Sequence, residues 1–377
     1  MEKLYDAVIA GYTCVDLTPD FRKDSPVTEI ADLLKPGKLI EIGGLGFTLG
    51  GVVPNTGLAM KKFGKKVFLN GLIGKDFIGN IVEIRLSDYG ISEGMVKTGE
   101  VNTAYSIVLS PPGIDRIFLE SPGCNQIFGL KHIDFETIKK SRLFHFGYPP
   151  LLRQFWLYNG QQLSQLYSEV QKMGVVTSLD FSLPDPESES GKVNWTEILE
   201  KTLPFVDLFV PSLEELLQTM IPGKYAEIQS MPGNTEIIDR IPLNLVKELG
   251  HTIIGWGVKI LLIKMGHRGA YLLTGNITSL NKEAGVVLDI EKWNNREILC
   301  NAYKVDKLKK INATGAGDTA VAAFLTAVLN GDTPETAIRY AAMAGRESLY
   351  CENIFEEIDS WEQLTEKIKT EQNELMG

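Results

Sequence analysis

Asn312-Ala313-Thr314-Gly315-Ala316-Gly317-Asp318 decides how this chain is read. It stands directly before a long apolar run, Thr319 to Leu329, with the content of a buried helix. Three small residues at a helix start leave the N–H groups of Gly315, Ala316 and Gly317 bare, with no side chain to block close approach. Such amides, reinforced by the helix dipole, form a hole for an anion. Asp318 follows at once. A carboxylate among positive backbone dipoles is expected to stay ionised and to accept a proton at neutral pH. Anion hole and base together suit phosphoryl transfer to an alcohol. Taken alone, the same residues serve equally well as an ordinary helix start capped by Thr314 or Asp318.

Far upstream, Gly50-Gly51-Val52-Val53-Pro54-Asn55 precedes a predicted helix, Thr56 to Phe63, that ends at Gly64. A strand, Val67 to Leu72, and Gly74-Lys75-Asp76-Phe77-Ile78-Gly79 come next. Paired glycines let a ligand lie against the backbone, and Asn55 at the helix start offers a donor and acceptors to a polyol. The bland alternative is a turn with Asn55 as N-cap.

Buried strands are predicted at Tyr5 to Gly11, Leu143 to Phe146, Val175 to Leu179, Leu208 to Val210 and Ile260 to Ile263. Helical patterns at Gln161 to Met173, Trp195 to Thr202, Ser212 to Met220 and Leu243 to Leu249 alternate with them. This is an α/β chain with a mostly parallel sheet covered on both faces, and ligands bind beyond the carboxyl ends of such strands. Two segments break the alternation. Residues 12–49 hold turn residues and a strand-like piece, Lys38 to Ile42. Residues 96–123 read as a hairpin: Ala104 to Leu109, a Pro111-Pro112-Gly113 turn, then Arg116 to Glu120. Together they read as a β-lid that would keep water from the reacting phosphate. Otherwise they are two surface excursions that never meet.

With both glycine motifs in this order, the chain resembles the ribokinase-like, or PfkB, carbohydrate kinases over nearly its whole length. The resemblance implies a three-layer α/β/α fold with a small β-sheet lid. Residues 1–11, 50–95 and 124–377 would form the core, and 12–49 and 96–123 the lid. It implies Asp318 as catalytic base and Gly315, Ala316 and Gly317 as anion hole. Asp16, Gly50, Gly51 and Asn55 would hold the acceptor hydroxyls. Lys264-Met265-Gly266-His267-Arg268-Gly269 would be the nucleotide-side loop, with Lys264, Gly266 and Gly269 at the nucleotide. Ser212-Leu213-Glu214-Glu215 stands where the family has Asn-x-x-Glu, which organises the magnesium water shell; Glu215 matches and Ser212 departs. Asn312 replaces an Asp that helps hold a monovalent cation in several members; its amide oxygen is the weaker ligand. Val53, Gly57 and Ala313 also depart from the pattern. The activity implied is ATP-dependent transfer of a γ-phosphoryl group to a sugar hydroxyl, with Mg2+ arriving on the nucleotide and K+ an open question. Two alternatives stand beside it. One is a nucleoside kinase with a base slot from Phe47, Tyr105 and Phe118; the other is a sugar-binding protein without catalysis. A homodimer paired through the lid is a further expectation, since open strand edges invite pairing.

Bulk properties agree. Net charge is 38 − 48 = −10, which argues against nucleic acid as a partner. Cys14, Cys124, Cys300 and Cys351 show no Cys-x-x-Cys spacing and are expected as reduced thiols. Neither a leader nor a membrane-length apolar run is evident, so a cytoplasmic protein is expected. Gly44 to Gly50 has the wrong spacing for a dinucleotide fingerprint, and no P-loop occurs. Among single residues, Arg116 is a candidate phosphate contact or a partner of Asp115, and Asn125 an acceptor contact or a turn residue. Lys264 is a phosphate contact or a solvated lysine. His145 reads as structural, His267 has no evident partner, and Asp180 points toward the active face. Asp185 to Lys192 and Pro222 to Asn234 read as loops, Asn281 to Lys310 as mixed with a hairpin, and Trp361 to Glu374 as a charged helix.

Overall fold

The computed structural model describes the chain except residues 1, 22–27, 92, 115–116, 233–235, 281–284, 307, 310, 372 and 377. Arg116, and with it the phosphate-contact expectation, lies outside the described residues. Along the chain the strands are β1 (Tyr5–Gly11), β2 (Cys14–Pro19), β3 (Leu45–Gly50), β4 (Val67–Asn70), β5 (Leu72–Gly74), β6 (Val96–Thr98), β7 (Tyr105–Leu109) and β8 (Ile117–Ser121). They continue with β9 (Ser141–Gly147), β10 (Val176–Leu179), β11 (Leu208–Phe209), β12 (Ile260–Lys264), β13 (Ala270–Thr274), β14 (Glu297–Cys300) and β15 (Leu375–Met376).

The large sheet has nine strands in the order β15-β14-β13-β12-β11-β10-β9-β1-β4. Neighbours from β4 to β12 run parallel, and β13, β14 and β15 add antiparallel pairs at one edge. Parallel strands need crossovers, the crossovers are helices, and helices on both faces bury the strands on both sides. The run Ala7 to Ala10 is accordingly fully buried. The helices Val52–Lys62 and Ala316–Asn330 pack against each other, so both glycine motifs meet at the carboxyl ends of the strands.

A separate four-stranded sheet has the order β3-β2-β7-β8. The two segments that broke the alternation do meet, through the parallel pair β2–β7. Side chains alternate across a strand. Asp16, Thr48, Ser106 and Glu120 therefore lie in one row on one face, while Leu17, Phe47, Ile107 and Leu119 lie on the other. Val96–Thr98 joins neither sheet and pairs with β5.

Several local expectations are corrected. Lys38 to Ile42 forms no strand; Leu39 is 93 % exposed, so its apolar side chain finds no partner surface. Pro222–Ser230 is a helix, because Pro222 sits in its first turn, where a missing N–H costs nothing, and Tyr225 and Ile228 are buried along one side. Gln161 to Met173 belongs to a longer element, Arg153–Lys172, interrupted by extended backbone at Leu157 and left-handed backbone at Tyr158 to Gly160. Within 281–310 the described residues form a short helix, Ile290–Trp293, and β14, which pairs with β13 and β15 and makes no hairpin of its own. The last helix stops at Thr370, and β15 follows it. At Gly57 the departure from the family pattern has a packing reason: an added Cβ would stand 2.2 Å from Leu69 Cδ2.

Candidate active site

Gly315 caps the helix Ala316–Asn330 with a left-handed backbone, φ 73°. A side chain there would be strained and would stand 2.7 Å from Ile354 Cδ1. Gly317 faces solvent, whereas Asp318, one residue on, is only 3 % exposed. Asn55 Nδ2 donates to Asp318 Oδ2 at 2.9 Å, and the Tyr148 hydroxyl donates to Oδ1 at 2.7 Å. Thr56 Oγ1 stands 3.5 Å from the same Oδ1.

The helix carrying Asn55 starts at Val52, four residues earlier than predicted, with Gly51 as N-cap. Gly51 has φ 89°, and an added Cβ would lie 2.6 Å from the Tyr12 carbonyl. Pro54 is tolerated because first-turn N–H groups need no helical partner. Asn55 is thus not a cap; its amide is turned onto Asp318. Gly50 and Gly51 make room for their neighbours rather than contacts of their own. A Cβ at Gly50 would stand 2.6 Å from Asp16 Oδ2.

Burial pushes the Asp318 carboxyl above the usual carboxylate range. Tyr148 opposes this most, followed by Asn55, Lys264 and Thr56. The expectation of a fully ionised carboxylate rests on the helix dipole and leaves out this cost of burial. Lys264, at the end of β12, is not a solvated lysine: its side chain is 16 % exposed and its Nζ pairs with Asp180 Oδ1 at 2.8 Å. Nζ also lies 3.7 Å from where a Cβ on Gly317 would stand, so the ammonium borders the Gly315–Gly317 turn. Burial works to lower its pKa, yet Asp180 and then Glu215 raise it above the usual lysine value. Asp180 Oδ2 is buried without a hydrogen-bond partner. Burial raises the Asp180 carboxyl to about 7, against the pull of Lys264, with Glu215 and Asp318 pushing the same way as burial.

Ser212 and Glu215 form a capping box. The Ser212 N–H donates to Glu215 Oε2 at 2.7 Å, and the Glu215 N–H donates to Ser212 Oγ at 3.3 Å. Ser212 also bridges to Lys264 through the backbone. Gly266 opens the turn after β12 with φ 52°, while Gly269, φ 90°, is demanded by packing: a Cβ would meet the Cys300 carbonyl at 2.0 Å. Asn312 Oδ1, the atom offered to a cation, accepts the Thr314 N–H at 3.1 Å.

On the four-stranded sheet, burial raises Asp16 to about 6, with Cys14 opposing and Glu120 adding to the rise. The Tyr12 hydroxyl donates to Glu120 Oε1 at 2.6 Å and ties the end of β1 to β8. Asn125 spends its amide on the Thr13 carbonyl at 2.9 Å, which fixes the turn between the two sheets. His267, contrary to expectation, has partners: Asp239 at 2.6 Å and Glu236 at 3.3 Å. His145 bonds Ser178 inside the sheet. All four cysteines are free and buried.

Sequence reasoning missed Tyr148 altogether and left Asp180 without a role. A signal was present for the first. Gly147-Tyr148-Pro149-Pro150 follows a buried strand at its carboxyl end, where ligands bind.

Residues 8–354 match the pfkB family carbohydrate kinase profile. The chain belongs to that family. A 5-dehydro-2-deoxygluconokinase of Listeria innocua is 23 % identical over 356 residues, covering 91 % of this chain and 89 % of that protein. In fold, this kinase is similar to Arabidopsis thaliana ribokinase complexed with ribose and ATP. That TM-score is 0.70 at 18 % identity, covering 98 % of this chain and all of that one. It is also similar to a putative ribokinase II from E. coli in complex with ATP and Mg2+, with TM-score 0.67 at 17 % identity over 98 % and 100 % of the two chains. The protein is a carbohydrate kinase of the ribokinase-like α/β fold. Among the described residues no helix is long and apolar enough to cross a membrane.

Proposed function

We propose that this kinase moves the γ-phosphoryl group of ATP to a hydroxyl of a sugar or sugar-like acceptor, with Asp318 as general base. The observation that carries this is the placement of Asp318: a nearly buried carboxylate, gripped through both oxygens, one residue beyond an open glycine turn. Asp16 and Asn55 hold acceptor hydroxyls, with Gly50 letting Asp16, and Gly51 letting Tyr12, pack close to the turn. The acceptor hydroxyl passes its proton to Asp318 as its oxygen bonds to phosphorus. The amides of Gly315, Ala316 and Gly317 and the Lys264 ammonium stabilise charge on the transferring group.

Among the described residues, no three His, Cys, Asp or Glu are grouped to hold a metal ion directly. The donors present suit a magnesium ion that keeps its waters and comes with the nucleotide: Glu215, and Asp180 with its unpartnered buried oxygen. Magnesium so placed would neutralise phosphate charge. The engaged Asn312 oxygen disfavours a potassium requirement.

A nucleoside acceptor has one observation in its favour, the half-exposed Phe118, which shares the face of Asp16. Phe47 and Tyr105 lie on the opposite face, so the aromatic slot is reduced to one wall.

The test is ADP formation with magnesium, with and without potassium, over free sugars, sugar acids, sugar phosphates and nucleosides. A turned-over sugar, with Asp318→Asn losing roughly 10²–10⁴ in kcat, is expected. Near-wild-type turnover by Asp318→Asn would remove the base assignment.

A further inference from the structure

The base of this site carries a hydroxyl group before any acceptor arrives. Tyr148 Oη donates at 2.7 Å to Asp318 Oδ1, while Asn55 holds Oδ2. The backbone that delivers this hydroxyl is unusual. Tyr148 has φ 65° and ψ 43°, left-handed, at the end of β9. A residue with a Cβ avoids that region, and a residue before proline is normally extended. Tyr148 precedes Pro149 and adopts it nonetheless. Two surroundings hold it there. A Cβ on the preceding residue, Gly147, would stand 2.4 Å from Val52 Cγ2, so the backbone passes close beneath the helix Val52–Lys62. The Tyr148 ring lies against the Tyr12 ring, centroids 6.2 Å apart. Strain kept at a site by its surroundings points to use at that site.

We propose that Tyr148 is a positioning residue for phosphoryl transfer: its hydroxyl orients the Asp318 carboxylate and favours its ionised form, so that the base is ready when the acceptor hydroxyl arrives. This rests on the reading of Asp318 as the base. Tyr148 keeps its own proton throughout; the proton that moves comes from the acceptor hydroxyl and ends on Asp318. Burial, with Asp318, Asp180 and Glu215 nearby, raises the phenol far above its ordinary value, so it remains a donor across the working pH range.

The groups that face Asp318 are Tyr148 from the end of β9, Asn55 and Thr56 from the helix Val52–Lys62, and Lys264 from β12; Asp180 from β10 acts on it by charge. Glu215 adds its charge at Tyr148, Asp180 and Lys264. Only Tyr148 loses its polar atom in Tyr148→Phe, which keeps the ring and its packing.

The experiment is the pH dependence of kcat and acceptor KM for wild type, Tyr148→Phe, Asp318→Asn, and protein with a fluorinated, more acidic tyrosine at 148. In Tyr148→Phe the acid limb of kcat is expected to move up by about one pH unit, since one charge-assisted hydrogen bond to the ionised base is gone. Below that limb kcat falls about tenfold, and acceptor KM stays within about twofold. The fluorinated side chain, a stronger donor, is expected to move the limb the other way. A merely structural tyrosine would lower the melting temperature and leave the limb in place in both proteins. Unmoved limbs, with Asp318→Asn inactive, overturn the role of Tyr148 alone. An active Asp318→Asn overturns the base assignment first.

Discussion

The nine-stranded and four-stranded sheets use similar apolar strands and treat them oppositely. In the large sheet, Ala7, Val8, Ile9 and Ala10 are fully buried, because helices cover both faces. In the small sheet, Leu45 is 46 %, Phe47 37 % and Leu119 52 % exposed on the face opposite Asp16. One sheet is a rigid base for the Gly315–Asp318 turn. The other carries Asp16 and Glu120 on strands joined to the core by the β1–β2 turn, the Gly50–Gly51 junction, the Tyr12–Glu120 bond and the buried Val15 and Leu49. On the proposed reading, chemistry that needs fixed geometry sits on the first, and acceptor contacts on the second.

The sharpest test of that contrast is in the large sheet. Phe146 is fully buried, with its ring 4.6 Å from that of Phe155. Phe146→Ala is expected to cost about 3–5 kcal/mol in urea unfolding. A cost under about 1 kcal/mol would mean the core relaxes as readily as a surface strand.

Next comes Asp16. Its native pKa, about 6, lies above the ordinary aspartate value of 3.8, so between these values the native state binds more protons than the unfolded chain. Stability contributed by Asp16 is therefore greatest below the lower value, falls as pH rises through the window, and stays lost above it. Asp16→Asn removes that loss. Its melting temperature should pull ahead of wild type as pH rises from about 4 to 6, with a constant lead above. Acceptor KM should rise at neutral pH, because the ionised carboxylate accepts hydroxyl protons that an amide cannot match. Parallel melting curves at every pH would show that Asp16 is solvated like a surface residue.

The smallest expected effect on stability is at Phe47. Phe47→Asp should cost about 1 kcal/mol of unfolding free energy, since the ring is only partly covered. If two copies pair through the lid, as its open strand edges invite, the same change on the edge strand β3 should convert a dimer to a monomer in light scattering. A wild-type monomer at micromolar concentration would remove that expectation.

Much of the site was legible because its signals are local. Gly315-Ala316-Gly317-Asp318 needs only a turn, a helix start and an acid, and all are adjacent in the chain. Gly50 and Gly51 were legible for the same reason, since close approach leaves no alternative to glycine. Asn55 was misplaced on its helix because Pro54 hid the start, although the first turn accepts proline. The helix at Pro222–Ser230 is hidden in the same way, since a proline among polar residues resembles a break although a first turn accepts it.

The sequence by itself determined the alternation of strands and helices, the two glycine turns and the acid beside one of them, since each follows from backbone sterics and short-range periodicity. Tertiary structure alone decided what surrounds that acid. Tyr148 lies 170 positions before Asp318, and Asn55 lies 263 before it. Lys264 and Asp180, 84 apart, become an ion pair only when β10 and β12 bring their ends together. No local rule links such positions; the burial that raises the carboxyls of Asp318, Asp180 and Asp16 exists only once the chain has closed around them.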